Sequence, residues 1–234
     1  MVTQQVNDTR FRIFDTMLGW FSPGHLVDLG AGHGLYSIRA ADAGWKVTAI
    51  DARTVRFPED PRITWLHEDV RNTSLEGYDL IVNLGLFYHL TLDDQLFLLD
   101  RAAGTPMILD THVATKQPKG YGLSEPVRQR GYSGRLYSEA DKQDRPTASW
   151  GNLDSFWPTP AALRRMLEER DWDVYTLTPY YLPTRTFFLC QPRGLPARTR
   201  GSEPKTAAKQ PASMAHRLRR KAARVLRGSA KRPG

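Results

Sequence analysis

The chain has 234 residues, of which 40% are hydrophobic and 25% charged, and its formal net charge is +8. That length can bury a sizeable core, and no segment reaches the roughly 18 uninterrupted apolar residues of a membrane span. The polar N-terminus, MVTQQVNDTR, lacks the apolar core of a signal peptide. The single cysteine, Cys190, excludes an internal disulfide framework and fits a reducing, cytoplasmic environment.

The positive charge is confined to one end of the chain. Residues 194–234 contain 12 basic residues and one acid, for a net charge of +11, whereas residues 1–193 contain 21 basic and 24 acidic residues, for a net charge of −3. We therefore expect a folded domain over 1–193 and a basic, disordered tail over 194–234. Within that tail, 213–227 could form a basic amphipathic helix on an acidic lipid surface or on nucleic acid, although a solvated tail explains the composition equally well.

Apolar periodicity predicts strands that alternate with helices, which is typical of an α/β sheet. In chain order, we predict a helix over 7–21, strands over 26–28, 46–50, 62–66 and 78–84, a helix over 92–101, a strand over 106–110, a helix over 160–170 and a hairpin of strands over 174–178 and 185–191. Thr159 is a candidate N-cap of the 160–170 helix. Only 70–77 lies between the third and fourth strands, which is too short for a crossover helix, so we expect a turn there.

The most specific pattern joins the first two strands. Asp28 ends the first strand and is followed by Gly30, Gly32 and Gly34, and the second strand ends in Asp51. Glycines let the backbone turn tightly and approach a ligand, and the start of the next helix offers unpaired N–H groups. A carboxylate at the end of the second strand can accept hydrogen bonds from ribose hydroxyls. The pattern therefore predicts an adenosine-binding βαβ unit, with a glycine-rich turn that binds no ligand as the alternative.

This spacing differs from the GxGxxG dinucleotide pattern, and an acid before the loop repels a pyrophosphate but suits an amine-bearing cation. It resembles motif I of the class I S-adenosylmethionine (AdoMet) methyltransferases. The resemblance covers about 25–191 and implies a Rossmann-like seven-stranded sheet of order 3-2-1-4-5-7-6, with an antiparallel last strand, helices on both faces and AdoMet as cofactor.

The same resemblance implies which strand ends hold the cofactor. In the family pattern, Asp51 binds the ribose, Asp69 accepts a hydrogen bond from the adenine amine, and Val70 donates its N–H to the adenine ring; a helix-cap or turn acid is the alternative for Asp69. The full set of cofactor-binding residues that we predict is Asp28, Gly30, Ala31, Gly32, Gly34, Asp51, Ala52, Asp69, Val70 and Asn83.

A second resemblance lies after the fourth strand, in the segment NLGLFYHL at 83–90. Methyltransferases that act on small polar acceptors often have a similar Gly-x-x-Tyr-His run, as does the branch that modifies wobble uridine in transfer RNA. The segment FWPTP at 156–160, which leads into a helix, resembles a pattern of the same group.

Methyl transfer to a hydroxyl requires an aligned nucleophile and removal of its proton. His89 and His112 follow neighbouring strands, and Asp110 projects to the same face as His112 if the strand is extended. We predict a catalytic set of His89, His112, Asp110 and Tyr88 with a histidine as general base; if neither histidine serves, Tyr88, Asp110 or Glu139 remains. Alternatively, His89, Asp110 and His112 could bind Mg²⁺ or another divalent metal that chelates a diol, or the histidines could be packing or capping residues.

Residues 113–157 form an insertion that is far longer than an ordinary loop. It is rich in aromatic and arginine side chains: Tyr121, Arg128, Arg130, Tyr132, Arg135, Tyr137, Arg145, Trp150, Phe156 and Trp157. Such residues suit a carbohydrate, because rings stack on sugar faces and polar groups bind hydroxyls. They would equally stack on bases and hold phosphates, or form a dimerisation arm.

Three functions follow from these patterns. The leading one is an AdoMet-dependent O-methyltransferase that acts on a small polyhydroxylated acceptor such as a sugar or oligosaccharide. The second is an RNA-modifying enzyme related to the wobble-uridine branch, which the acidic body over 1–193 disfavours. The third is a non-catalytic AdoMet-binding protein that works through its basic tail.

Overall fold

The computed structural model describes residues 2–53, 57–115, 122–142 and 149–194. Its first half contains α1 (Val2–Leu18), β1 (His25–Leu29), α2 (Leu35–Asp42), β2 (Lys46–Asp51), β3 (Ile63–His67), β4 (Leu80–Leu84), a 3₁₀ turn (Phe87–His89) and α3 (Leu92–Ala102). Its second half contains β5 (Met107–His112), β6 (Val127–Gln129), β7 (Tyr132–Ser138), a 3₁₀ turn (Ala140–Lys142), β8 (Asp154–Pro158), α4 (Pro160–Glu168), β9 (Trp172–Leu177) and β10 (Arg185–Pro192). The predicted basic tail beyond residue 194, with its possible helix over 213–227, lies outside the described residues, as do Tyr121 and Arg145 of the insertion.

Seven strands form the main sheet, in the order β3-β2-β1-β4-β5-β10-β9. Strands β1 to β5 pair in parallel, whereas β10 runs antiparallel to both of its neighbours. The central strands are almost continuously buried, as expected for parallel strands covered by helices on both faces. Because β10 and β9 are the seventh and sixth strands of this sheet, the predicted order 3-2-1-4-5-7-6 is confirmed.

Two apolar clusters lie on opposite faces of the sheet, because successive side chains of a strand point to opposite sides. One cluster joins the sheet to α3 and α4 and includes Val27, Leu29, Ile81, Leu99, Leu163 and Met166. The other joins it to α1 and α2 and includes Phe14, Leu18, Leu26, Ala40, Val47 and Leu80. Thr159 caps α4, as predicted, by accepting a hydrogen bond from the N–H of Ala162. None of the described helices has the length and apolar character needed to span a membrane.

No helix separates β3 from β4, so the predicted turn is confirmed. The insertion, for which no secondary structure was predicted, contains β6, β7 and β8, which make a separate antiparallel sheet with Phe156 and Trp157 in its last strand. This sheet is attached beside the first 3₁₀ turn, where Phe156 N donates to Leu90 O and Trp157 Nε1 donates to Tyr88 O, both at 3.0 Å. The insertion is therefore anchored at the end of β4.

A buried carboxylate joins the two ends of the folded body. Asp110, in β5, is fully buried; its Oδ1 accepts from Arg185 Nε of β10 at 2.8 Å, and its Oδ2 accepts from Arg10 Nε of α1 at 2.8 Å. Three elements that are distant in sequence thus share one charged contact.

Gly134 lets β7 and β8 pack closely. A Cβ at this position would lie 2.5 Å from both the Phe156 ring and the carbonyl oxygen of Trp157. We expect Gly134→Ala to lower the free energy of unfolding by ~1–3 kcal/mol, because backbone cannot move aside as a flexible side chain can. Ser133→Ala, at the neighbouring exposed position, should change it by less than about 0.5 kcal/mol. Urea unfolding of both variants tests this, and equal stabilities would contradict the packing argument.

Asp110→Asn should destabilise the fold by ~3–5 kcal/mol, because it removes the charge shared by two arginines while leaving those arginines in place. Asp100→Asn is the matched control, since Asp100 also pairs with an arginine, Arg170, but is 63% exposed. A surface pair of that kind contributes about 1 kcal/mol or less. Chemical denaturation of both variants gives the comparison, and a similar small loss in each would show that the buried pair is not structurally important.

Candidate active site

A cleft of about 300 Å³ lies at the carboxyl ends of the parallel strands, where ligands bind in open α/β sheets. The predicted site residues that line it are Gly30, Ala31, Gly32, Asp51, Ala52, Asp69, Val70, Tyr88 and His89. Residues that line it but were not predicted as site residues are Arg10, His33, Leu35, Tyr36, Arg53, Arg71, Leu84, Gly85, Leu86, Leu90, Ser149, Trp150 and Arg185.

The loop after β1 can be built only with glycine at its narrowest points. Gly30 and Gly34 have φ angles of 70° and 65°, in the left-handed region that favours glycine. A Cβ on Gly34 would lie 2.3 Å from the Trp65 ring, and one on Gly30 would lie 2.8 Å from Leu86. Glycine at these two positions therefore lets the loop pass close to Trp65 and Leu86.

Asp51 is held at the end of β2 by two backbone donors. Its Oδ2 accepts from Gly32 N at 2.9 Å, and its Oδ1 accepts from Arg53 N at 2.8 Å. Each carboxylate oxygen can accept more than one hydrogen bond, so both retain acceptor capacity toward the cleft. This geometry suits a pair of ribose hydroxyls.

Asp69 lies at the next strand end and is paired with Arg71, whose Nε donates to both carboxylate oxygens at 3.0 Å. Hydrogen bonds from Arg71 lower the pKa of Asp69 against the opposing effect of burial, so the carboxylate stays ionised. Asp69 and Val70 line the same part of the cleft as Trp150 of the insertion. Trp150 lies against Arg53, whose Cζ is 5.0 Å from the ring centroid.

Three of the residues predicted to bind the cofactor do not line the cleft: Asp28, Gly34 and Asn83. Asp28 is buried and accepts from Ser37 Oγ at 2.6 Å. Burial raises the pKa of Asp28 to about 6, despite the opposing hydrogen bond from Ser37. Asp28 therefore supports the start of α2 from behind the loop, which corrects its predicted direct contact with the ligand.

His89 is paired with a buried carboxylate from the insertion. Its Nδ1 lies 2.7 Å from Glu139 Oε1, and Glu139 also accepts from Ser155 Oγ at 3.0 Å and from Ser149 N at 3.4 Å. Burial alone would raise the pKa of Glu139, but these donors, His89 first among them, outweigh it and lower that pKa. An ionised Glu139 requires the proton of neutral His89 on Nδ1, which leaves the lone pair on Nε2.

His112 has a different environment, which corrects its prediction as a general base. Arg185 Nη1 lies 2.9 Å from its Nε2, and because arginine only donates, Nε2 must accept. Its Nδ1 then donates to Thr184 Oγ1 at 3.1 Å. Burial and the neighbouring charge of Arg185 lower the pKa of His112 to about 3. His112 therefore has no lone pair to offer a substrate, and Asp110, engaged by two arginines, is not a base either.

The predicted metal set of His89, Asp110 and His112 is also wrong. No group of three or more histidine, cysteine or acidic side chains in the described ranges is arranged to hold a metal ion. Two of the three side chains are already engaged by arginines, Asp110 by Arg10 and Arg185 and His112 Nε2 by Arg185, and Glu139 engages Nδ1 of His89.

Aromatic rings surround His89 at the end of β4. The Tyr88 ring lines the cleft, and its centroid lies 4.2 Å from that of His89 and 4.7 Å from that of His112. Behind it, Trp157 stacks on His112 at 4.7 Å and on Tyr137 at 5.4 Å. Tyr88 is therefore held in place by packing on the side away from the cleft.

Sequence reasoning missed Arg10 and Arg185, the two arginines of the cleft that pair with Asp110. Arg10 lies in an amphipathic helix with no motif around it. The sequence contains one indication of Arg185, because this charged residue directly precedes the largely apolar run TFFLC. Glu139 was named only as an alternative base, because nothing in the sequence places it beside His89.

No family model and no curated protein matches the sequence. Several solved structures resemble it. The N-terminal domain of EvdMO1, solved in the presence of SAH and D-fucose, is 20% identical over 78% of this chain and 80% of that one, with a TM-score of 0.58. The glycopeptide N-methyltransferase MtfA is 19% identical over 79% and 89%, with a TM-score of 0.54.

The 1,6-didemethyltoxoflavin-N1-methyltransferase of Burkholderia thailandensis is 16% identical over 76% of this chain and 74% of that one, with a TM-score of 0.51. The similarity to these proteins is one of architecture, and it agrees with the strand order and the antiparallel β10. The described part of this chain has the fold of the class I AdoMet-dependent methyltransferases.

Proposed function

We propose that this protein is an AdoMet-dependent O-methyltransferase that acts on a hydroxyl of a small polyhydroxylated acceptor of the sugar class. The observation that carries the proposal is the His89–Glu139 pair, whose histidine lines the same cleft as Gly30, Gly32 and Asp51. A methyltransferase acting on a hydroxyl needs a proton acceptor, and an imidazole oriented by a buried carboxylate is a common form of one.

The cleft fits AdoMet at its β1–β2 end. Gly30, Ala31 and Gly32 of the glycine loop line this end of the cleft with little side-chain bulk, and Asp51 presents acceptors suited to ribose. Asp69 and Val70 would hold the adenine. When bound, AdoMet supplies an electrophilic methyl group on its sulfonium.

His89 would remove the acceptor proton as the hydroxyl attacks. Nε2 receives that proton, and Glu139 stabilises the resulting imidazolium through its 2.7 Å contact with Nδ1. The surrounding protein keeps Glu139 almost completely buried, which strengthens this electrostatic interaction. Tyr88 lines the cleft beside His89 and offers a ring on which a sugar could stack. The solved structure of EvdMO1 with D-fucose supports the sugar class as the first to test.

The direct test is transfer of labelled methyl from AdoMet to separate pools of saccharides, amines and RNA. We expect the label on saccharides. Label on amines or on RNA alone would contradict the proposal and favour N-methylation or the RNA-modifying alternative.

Asp51→Ala should weaken AdoMet binding by ~1.5–3 kcal/mol, since the ribose hydroxyls would lose a charged acceptor. Asp42→Ala is the control, because Asp42 makes an exposed ion pair with Arg62 at the far end of α2 and should leave the affinity unchanged. Calorimetry with both variants measures the difference. An unchanged affinity for Asp51→Ala would remove the ribose assignment.

His89→Ala should lower turnover by ~10²–10⁴-fold and leave AdoMet affinity unchanged, because general-base catalysis contributes about that much. Glu139→Gln should also lower turnover, since it removes the charge that stabilises the imidazolium. His25→Ala is the control, because His25 is the first residue of β1 and lies at the amino ends of the parallel strands, away from the cleft. EDTA should have no effect, because Asp110 and His112, two of the three residues predicted to bind a metal, are engaged by arginines. Near-normal turnover of His89→Ala would disprove its role as the base.

A further inference from the structure

The wall of the cleft next to His89 carries more positive charge than the protein neutralises. Arg10 and Arg185 both line the cleft, and both pair with Asp110 behind it. Among the described residues, Asp110 is the only carboxylate that forms an ion pair with either arginine. Two guanidinium groups that share one carboxylate leave one positive charge without a partner.

That charge is shielded from water. The side chains of Arg185 and Arg10 are only 9% and 16% exposed. A buried charge is unfavourable unless a counter-ion or hydrogen bonds compensate it. Arg185 is nevertheless charged: burial opposes its ionisation, but Asp110 outweighs that effect and raises its pKa.

Arg185 donates Nε to Asp110 and Nη1 to His112, whereas Arg10 keeps a donor available. Asp110 engages Nε of both arginines, whereas no described residue accepts a hydrogen bond from Arg10 Nη1. Gly85 leaves the space above them open: a Cβ there would lie 3.3 Å from Arg185 Nη2 and 3.6 Å from Arg10 Nη2. Arg10 thus offers an unengaged N–H and Arg185 a second positive charge beside the cleft, and guanidinium groups are well suited to bind carboxylates.

The position of Arg185 relates this charge to the acceptor. Its Cζ lies 5.5 Å from the Tyr88 centroid, and the same ring contacts His89 at 4.2 Å. His89 and Arg185 therefore flank one aromatic ring. A molecule lying on Tyr88 could present a hydroxyl to His89 and an anionic group to Arg185.

We propose that the acceptor is a hydroxy acid of the acidic-sugar class, whose carboxylate binds Arg185 and Arg10 while its hydroxyl lies at His89. This inference rests on the proposed function and specifies its substrate. The carboxylate of AdoMet is the alternative ligand of these arginines. Arg10 also lies beside Tyr36 at the start of α2, with its Cζ 5.4 Å from the ring centroid.

The test compares acids with neutral counterparts of the same shape. The full-length protein, saturated with S-adenosylhomocysteine, is titrated calorimetrically with three pairs: D-glucuronate and D-glucose, D-galacturonate and D-galactose, and D-glycerate and glycerol. We expect at least one acid to bind about 10- to 100-fold more tightly than its neutral partner, as is typical of hydrogen bonds to a charged group. If no acid is preferred in any pair, the proposal is wrong.

Variants test whether the preference for acids depends on Arg185 and Arg10. Arg185→Gln should abolish it, and Arg10→Gln, at the less buried of the two positions, should reduce it; circular dichroism checks that each variant is folded. Arg193→Gln is the control, because Arg193 lies just beyond the same strand and pairs with exposed acids. A preference that survives in both cleft variants would overturn the proposal.

A second measurement separates the two sources of carboxylate. AdoMet and decarboxylated AdoMet, which lacks only the carboxylate, are titrated into the wild-type protein and Arg185→Gln. We expect Arg185→Gln to leave the ratio of the two affinities unchanged. If Arg185→Gln instead binds AdoMet and decarboxylated AdoMet equally well, Arg185 binds the carboxylate of the cofactor and the proposal is wrong. If S-adenosylhomocysteine does not bind at all, the proposed function fails, and the preference for acids can still be measured on the protein alone.

Discussion

One buried ion pair network determines how the ends of this domain meet its centre. Asp110 in β5 lies between Arg10 of α1 and Arg185 of β10, and each arginine uses its own carboxylate oxygen. The Asp110 carboxylate is inaccessible to water. Moving either arginine away from it would therefore break a buried ion pair, which costs a large amount of free energy. The first helix and the last strand are consequently fixed against the middle of the sheet, and their arginines form one wall of the cleft.

The same network gives the two histidines at the strand ends different environments. Arg185 donates to His112 and makes it a neutral acceptor within the protein, with its pKa lowered to about 3. His89 lies beside a negative charge, because the buried carboxylate of Glu139 accepts a hydrogen bond from its Nδ1. Two histidines at neighbouring strand ends therefore have different roles, because one faces a guanidinium and the other faces Glu139.

The insertion contributes to both halves of the cleft. Glu139 follows β7 and reaches His89, while Ser149 and Trp150 lie beside Arg53 near the cofactor end. Ser149 also donates its N–H to Glu139. One segment thus contacts the base and the proposed cofactor pocket, which would explain why it folds as a sheet with its own packing at Gly134 and Phe156.

The sequence by itself determined the architecture and was sufficient to predict a cofactor end. Parallel strands buried on both faces are uninterrupted apolar runs, and the glycine loop and Asp51 are adjacent to those runs, so local pattern was sufficient. It could not determine the acceptor end. Arg10, Asp110, Glu139 and Arg185 come from four distant segments, and their roles depend on which charges meet in the folded protein. Whether a histidine accepts a proton or a carboxylate binds a metal is decided by those neighbours, and no local pattern of residues records them.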